Sequence, residues 1–284
     1  MYSTMAKPDV LCKTLDSGAE LVRFDNLQDI FWYDDPQNSP SGIRIKEMLE
    51  HADSHEYYMK SHETYFKERR ILTKEKQSII DKASKNMQMD REFLELVYKA
   101  KSVKREYRLN RFGGNLSMAH YASNSEKIFK KGRPGAKKVT LNMAFQVRVF
   151  SGGNYADSFV KILKTILMCQ AMGISVNIDM FDSDTRAIDG GDSYVICNVA
   201  KSHEKLNLKS ILTSSHPEFF HCSLFNGYGA SGKAYHIGTF LNESKIRRDL
   251  GSMYDVIGGN TLTEVGEDDE QKELISRILK IGLS

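Results

Sequence analysis

Strand-like and helix-like segments alternate along the second half of this chain, and this alternation limits its possible folds more than any other feature. From Val139, "VTLNMAFQVRV" is strand-like, and "NYADSFVKILKTILMCQAMG" is an amphipathic helix of about five turns. "ISVNIDMFDSD" alternates apolar and polar side chains, as a strand with one polar face does. "SYVICNVAK" and "PEFFHCSLFNGYG" indicate further strands, and "LNLKSILTSS", residues 234–241 and "EDDEQKELISRILKIGL" indicate helices. This order predicts an α/β fold with a largely parallel sheet flanked by helices.

The first half of the chain has a different pattern. Apolar runs on both sides of Asp16-Ser17-Gly18 predict a β-hairpin, and "DNLQDIFWYDD" predicts a short helix capped by Asp25 or Asn26. Residues 43–107 contain no proline or glycine, which predicts a helical region. We therefore expect an N-terminal hairpin and helical region over residues 1–107, a basic, glycine-rich linker over 108–138, and an α/β domain over 139–284.

Composition favours a protein that works in the cytoplasm without a membrane. The chain of 284 residues is long enough to bury a full core. No apolar run approaches the ~20 residues of a membrane span, and the N-terminus lacks the apolar core of a signal peptide. Four distant cysteines without a C-x-x-C pair predict reduced thiols rather than a disulfide framework or zinc finger: Cys12, Cys169, Cys197 and Cys222.

The basic linker suggests a nucleic-acid-binding alternative. A net charge of +3 is too small to indicate nucleic-acid binding by itself, but six cations and an aromatic ring fall within twelve residues. Phosphates attract such a segment, and an aromatic ring could stack on an unpaired base. A single-strand-binding role in replication or transcription would use Lys127, Phe129, Lys130, Lys131, Arg133, Lys137 and Lys138.

Residues 227–234, "GYGASGKA", support a third alternative, a phosphate- or nucleotide-binding enzyme. They fit the G-x4-G-K spacing of a phosphate loop and follow a predicted strand. The position that should carry a hydroxyl for Mg²⁺ is Ala234, and only about fifty residues remain for the rest of a nucleotide-hydrolysing core. An ordinary glycine-rich turn from strand to helix explains the same residues.

Other candidate groups have simpler explanations than catalysis or metal binding. His51, His55 and His62 share one helical stripe, but a packing stripe explains them better than a shared metal ion. Cys222 lies in a predicted apolar strand, which argues against a catalytic thiol. A cluster of carboxylates could hold Mg²⁺ or Ca²⁺, yet a solvated hairpin tip is the simpler expectation for Asp179, Asp182, Asp184, Asp189 and Asp192.

The order β-α-β-β-α-β-α, with "LNLKSILTSSHPEFF" after the third strand, resembles a von Willebrand factor A-type (VWA) domain over about Val139–Ser284. It looks closest to uncharacterised bacteriophage proteins with a VWA-like core. In that family D-x-S-x-S ends the first strand, a Thr lies on a later loop, and a D-G step ends the fourth strand; together they form a metal-ion-dependent adhesion site. The matching positions here are Val149, Ser151, Gly153, Thr213 and Asn226-Gly227. Since a hard cation needs anionic oxygen ligands, the resemblance implies a degenerate site with no metal or other cofactor.

The resemblance and the missing catalytic set together favour a non-catalytic binding or scaffold protein, phage-encoded, that engages a protein partner. Ligands of α/β sheets bind beyond the carboxyl ends of the strands. We therefore expect the partner site at the strand-end loops, formed by Ser151, Gly152, Gly153, Asn154, Thr213, Asn226, Gly227 and Tyr228.

Overall fold

The computed structural model describes residues 7–33, 64–89, 140–146, 155–171, 174–185, 191–231 and 241–258, with isolated positions up to residue 98. The strands are β1 Leu11–Thr14, β2 Glu20–Phe24, β3 Thr140–Gln146, β4 Ser175–Thr185, β5 Asp192–Ala200 and β6 Val256–Gly258. The helices are α1 Leu27–Tyr33, α2 Lys74–Met89, α3 Tyr155–Ala171, α4 Leu208–Ser214 and α5 Glu243–Leu250. Residues 64–68 are also helical, and residues 219–231 form a helical run of mixed type that is described below.

The six strands form one sheet in the order β1-β2-β5-β4-β3-β6. β3 runs parallel to β4 and β6, and β2 runs parallel to β5. The β1–β2 and β4–β5 pairs are antiparallel. The α/β class predicted from the sequence is confirmed, and the sheet is mixed.

The N-terminal hairpin belongs to this same sheet. Its turn contains Gly18, whose φ of +85° is a left-handed conformation that glycine adopts without strain. This confirms the hairpin predicted around Asp16-Ser17-Gly18. β2 then pairs with β5 in parallel, so that Leu21 lies opposite Tyr194 and Phe24 opposite Cys197. Residues that are far apart in sequence therefore share one set of backbone hydrogen bonds.

Helix α1 begins where the sequence predicts it. Asn26 Oδ1 accepts hydrogen bonds from the backbone N–H of Gln28 at 2.8 Å and of Asp29 at 3.0 Å. Those N–H groups have no partner within the helix, so the Asn26 side chain caps it. The helix then buries Ile30 and Phe31 against the sheet.

Helices cover both faces of the sheet. The larger core lies on the face under α1, α2, α3 and α4, where Phe145 of β3, Ile178 of β4 and Val195 of β5 are buried. The alternate strand residues face the other way and pack with α5, as Phe181 does with Leu250. Because side chains of a strand alternate between faces, β4 is mostly buried on both sides. The polar face predicted for β4 is present at Ser175, Asn177 and Asp179, and Asp179 on that face is buried.

The strand predicted over "PEFFHCSLFNGYG" is also wrong, because this segment is helical. It forms a π-helix at Phe219–Leu224, an α-helix at Phe225–Gly227 and a 3₁₀ helix at Tyr228–Ser231. Most of its residues are buried: Phe219, Cys222, Ser223, Leu224, Asn226, Gly227 and Tyr228. Because Ser223 and Asn226 are polar and Gly227 has no side chain, these buried positions show no apolar helical period in the sequence. We call residues 219–231 the mixed helical segment.

The end of the described chain also differs from the prediction. A helix was expected at residues 234–241, where only Leu241 is described and is not helical. The helix found is α5, which is capped by Asn242 Oδ1 through the N–H of Lys245 at 2.9 Å. The short strand β6 was not predicted, and its pairing with β3 is extended by the N–H of Asn142, which donates to Asp255 Oδ2 at 2.7 Å. The linker over 108–138 and the closing helix after residue 266 lie outside the described residues.

Candidate binding site at the carboxyl edge of the sheet

The carboxyl ends of β3, β4 and β6 lie at one edge of the sheet, together with that of β1. Because β3, β4 and β6 run parallel, all three end on the same side of the sheet, at Gln146, Thr185 and Gly258. β5 runs antiparallel to β4, so its first residue, Asp192, lies opposite Thr185 at that edge. We call this side of the sheet the carboxyl edge. It is where α/β sheets commonly bind ligands.

Two buried carboxylates lie near the end of β4. Asp182 and Asp184 are each 3% exposed, and the two-residue spacing puts both on the face of the larger core. Asp179, on the opposite face, is also buried. The prediction of a solvated hairpin tip is therefore wrong for these three residues. Asp192 is partly exposed and binds Lys245 Nζ at 2.6 Å, while Asp189 lies outside the described residues.

Tyr228 anchors the mixed helical segment to this region. Its hydroxyl donates to Asp182 Oδ2 at 3.1 Å, and its side chain is only 3% exposed. Three strands away, the Cys12 thiol lies 3.8 Å from the carbonyl oxygen of Ala230. The strand register puts Cys12, Val22, Val195 and Asp182 in one row across the sheet. The segment from Tyr228 to Ala230 therefore crosses from β4 to β1 and connects the N-terminal hairpin to the rest of the sheet.

Gly227 is required where this segment touches the sheet. A Cβ atom at this position would lie 2.8 Å from Val195 Cγ1 and 2.9 Å from Phe24 Cε2, closer than real Cβ contacts. The absence of a side chain allows the helix backbone to approach β5 and β2. Gly227 is thus explained by packing, and its neighbour Asn226 lies in the same helix, not at the end of a strand.

The other residues of the predicted site fall into two groups. Ser151, Gly152, Gly153 and Asn154 lie outside the described residues, as do the linker residues Lys127–Lys138 and the three histidines of the N-terminal stripe. Thr213, Asn226, Gly227 and Tyr228 are described, and all four are buried. A partner cannot contact buried side chains directly, and of these four Gly227 and Tyr228 pack against the sheet near its carboxyl edge.

Two of the described buried hydroxyl groups belong to Ser193 and Thr213, and that of Ser193 lies near the carboxyl edge. Ser193 Oγ and Thr213 Oγ1 have no hydrogen-bond partner within the described part of the chain. Ser193 lies directly across from Asp184 in the β4–β5 register, which puts both side chains on one face about 5 Å apart. On the other face, Gln146 Nε2 donates to Ser183 Oγ at 2.8 Å. Polar side chains therefore line both faces of the sheet at its carboxyl edge.

A second polar network holds the opposite face and was not predicted. The carboxylate of Asp179 accepts from Arg23 Nη2 at 3.0 Å, from the hydroxyl of Tyr254 at 2.6 Å and from Asn198 Nδ2 at 2.6 Å. Burial, with the nearby negative charge of Asp179, raises the pKa of Tyr254 well above its usual value. The network joins β2, β4, β5 and the start of β6, so its role is structural.

A similar contact fixes α5. The hydroxyl of Tyr194 donates to Asp249 Oδ2 at 2.8 Å, and Arg248 Nε donates to Asp249 Oδ1 at 3.0 Å. Tyr194 is fully buried, and this burial, with the hydrogen bond to Asp249, raises its pKa well above its usual value. The Tyr194–Asp249 and Tyr254–Asp179 pairs cannot be read from sequence spacing, because their partners are 55 and 75 residues apart.

The groups that could act as nucleophiles or bind phosphate lack the required setting. Burial raises the pKa of the Cys169 thiol to about 12, and Cys222 is fully buried with Sγ 3.8 Å from Glu218 Oε2. His216 lies between the rings of Tyr65 and Tyr155, and its Nδ1 accepts the N–H of Glu218. The predicted strand before the glycines of "GYGASGKA" is absent, since residues 225–231 are helical. The strand-to-loop context of a phosphate loop is therefore missing there.

Within the described ranges, no three His, Cys, Asp or Glu side chains are grouped so that they could hold a metal ion. No helix among the described residues is long and apolar enough to cross a bilayer. The chain matches no family model, and no curated protein or solved structure is significantly similar to it. Fold and site together define an α/β protein with a mixed six-stranded sheet and a polar carboxyl edge.

Proposed function

We propose that this chain is a non-catalytic binding or scaffold protein, phage-encoded and cytoplasmic, with a VWA-like α/β core. Its partner is a protein, which binds at the carboxyl edge of the sheet. The observation that carries the proposal is the contact between Tyr228 and Asp182, which holds the mixed helical segment against the polar end of β4.

The order of elements supports the VWA-like part of the proposal. β3, α3, β4, β5, α4, the mixed helical segment, α5 and β6 follow one another, and β4–β5 is the antiparallel pair of the series. The strand after β5 is β6, not the segment around Asn226. In a VWA-like alignment the fourth strand then ends at Gly258, and Asn226-Gly227 does not occupy the D-G position.

The burial pattern supports a binding role for the carboxyl edge. Asp182, Asp184 and Ser193 put polar groups into an otherwise apolar core, which costs free energy unless those groups are hydrogen-bonded, as Asp182 is to Tyr228. The edge ends in Thr185 and Asp192, which are only partly buried and can be reached from outside. In this proposal the buried residues fix the shape of the edge, and the partly exposed strand ends and their loops contact the partner.

The proposal is tested by blocking the edge without disturbing its supports. Thr185→Arg adds a bulky cation at the carboxyl edge, and Ser202→Arg adds the same side chain beside the opposite edge, where β5 has ended. Affinity purification from expressing cells, with quantitative mass spectrometry, measures which proteins are recovered with each variant. We expect at least one protein recovered with the parent chain and with Ser202→Arg to be lost with Thr185→Arg. Equal recovery by all three chains contradicts the site.

A further inference from the structure

The turn at residues 69–73, between helical residues 64–68 and α2, gathers positive charge from two helices. Lys76 Nζ of α2 donates to the carbonyl oxygens of Glu68 and of Ile71, the latter at 3.3 Å. Lys209 Nζ of α4 donates to the carbonyl oxygen of Arg70 at 2.9 Å. We call residues 69–73, with these two lysines, the basic turn.

The two ammonium groups lie within electrostatic reach of each other. Burial lowers the pKa of Lys76, the nearby carboxylate of Glu68 opposes this, and the charge of Lys209 lowers it further. Within the described part of the chain, neither ammonium has a carboxylate at ion-pair distance. An ammonium has three N–H groups, of which Lys76 uses two and Lys209 one on the turn carbonyls. Lys76 is buried, so the remaining N–H groups of the partly exposed Lys209 are the ones that can bind oxygen atoms of a ligand.

Two adjacent aliphatic side chains are exposed beside these ammoniums. Ile71 is 53% exposed and Leu72 is 47% exposed, and they are two of the four large exposed apolar residues of the described chain. A lysine that binds the last carbonyls of a helix is sufficiently explained as a cap. Capping does not account for the second ammonium from α4 or for the exposed Ile71–Leu72 pair.

We propose that the basic turn is a docking site for an acidic segment of a protein partner. Carboxylates of that segment reach the partly exposed Lys209, and an apolar side chain beside them packs on Ile71 and Leu72, while the buried Lys76 adds positive charge beneath the turn. We choose an acidic segment because of charge complementarity. Residues 67–76 contain five Lys and Arg against two Glu, and Lys209 adds a further cation. Desolvated charge pairs next to an apolar contact are a common basis of partner recognition.

A membrane surface fits the basic turn less well than an acidic peptide does. Peripheral membrane binding buries a broad apolar face under flexible cationic side chains. Here the apolar contact is two side chains wide, and both ammoniums are fixed on backbone carbonyls. Fixed, partly desolvated cations favour a ligand whose anionic groups are themselves held on a chain.

The proposal does not depend on the carboxyl edge and has its own experiment. A fluorescent synthetic peptide of glutamate pairs separated by leucines is titrated with the full chain, and fluorescence anisotropy gives its Kd. A second peptide carries glutamine in place of every glutamate. We expect the glutamate peptide to bind and its affinity to fall steeply with added salt, because screening weakens the charge pairs. Lys209→Met should raise Kd about fivefold to tenfold, and Leu72→Gln should also weaken binding.

The controls separate docking from folding and from non-specific charge. Lys209→Arg keeps the cation and should retain binding, while Arg248→Met removes an exposed cation from α5 and should leave Kd unchanged. Thermal melts confirm that each variant is folded. The proposal is overturned if the glutamate peptide does not bind at low salt, if the glutamine peptide binds as tightly, or if Lys209→Met and Arg248→Met have the same effect. It is also overturned if the chain binds anionic vesicles but not the peptide, and if Lys209→Met weakens that vesicle binding.

Discussion

The Asp179 network makes a sharp prediction about what holds the sheet together. The carboxylate has three described donors, on β2, on β5 and just before β6, so one side chain joins segments that span residues 23–254. Asp179→Asn keeps the size of the side chain but removes its charge, and it turns an amide NH₂ toward groups that are themselves donors. We expect this substitution to be among the most destabilising single-atom changes in the chain.

The magnitude follows from what the three donors can do once the carboxylate is lost. Tyr254 is 7% exposed and cannot recover a full bond to water, and a buried unsatisfied donor costs about 1–3 kcal/mol. Asn198 Nδ2 loses less, because it also donates to the carbonyl oxygen of Ile178 at 3.3 Å. The Arg23 side chain is 29% exposed and can be rehydrated, which lowers its part of the cost. The expected loss of unfolding free energy is therefore about 2–4 kcal/mol.

Chemical denaturation with urea, followed by circular dichroism, measures this loss. The matched control is Asp192→Asn, the same substitution at a partly exposed carboxylate whose described ion pair is with Lys245. Asp192→Asn should cost less than about 1 kcal/mol. In a double-mutant cycle, Arg23→Met and Asp179→Asn should couple by about 1 kcal/mol or more. If Asp179→Asn and Asp192→Asn lower the midpoint equally, the reasoning is refuted.

Three further predictions test packing, protonation and the basic linker. Gly227→Ala should lower the unfolding free energy by about 1–3 kcal/mol, because its Cβ would overlap Val195 and Phe24; an unchanged or raised melting temperature contradicts the close approach. In the folded chain Tyr254 keeps its proton above pH 10, near which the phenol of the unfolded chain ionises. Its contribution to the unfolding free energy is therefore full below that pH and is lost as the pH rises above it. Above pH 10 the unfolding free energy should fall by about 1.4 kcal/mol per pH unit through this group. In thermal melts at alkaline pH, Tyr254→Phe should therefore lose stability less steeply with pH than the parent chain. If residues 127–138 bind single-stranded nucleic acid, the parent chain should shift an oligonucleotide at low salt, and neutral replacements of the lysines should abolish the shift; no shift in the parent removes that alternative.

The sequence is most informative where the local pattern is strong. The hairpin at Gly18, the Asn26 cap, α3 and strands β3 to β5 were all predicted, because turn chemistry, capping and periodicity are properties of neighbouring residues. The three residues of β6 are too few to give a periodic pattern, and their pairing with β3 depends on a segment more than a hundred residues away. The pairing of β2 with β5 could not be predicted from the sequence either, because the two strands are far apart along the chain.

The partner site stays a proposal, but the described residues show where the local predictions around it hold and where they fail. Tyr228 does lie at the carboxyl edge, as its position after a presumed strand suggested, although it arrives there on a helix. Asp182 and Asp184 were assigned to a solvated tip because isolated carboxylates are seldom buried. They are buried here because helices cover both faces of β4, and a donor such as Tyr228 comes from 46 residues away. A single sequence does not show which distant residues form such hydrogen bonds.

Photo-crosslinking tests the central claim, that the carboxyl edge of the sheet contacts the partner, most directly. A photoreactive amino acid is placed at Thr185, at the end of β4, or at His203, an exposed position just beyond the end of β5 at the opposite edge. Both chains are irradiated in expressing cells, and covalent adducts are identified by mass spectrometry. The account predicts an adduct with one defined protein from position 185 that position 203 does not give. The same adduct from position 203 alone, or no adduct from position 185, would contradict it.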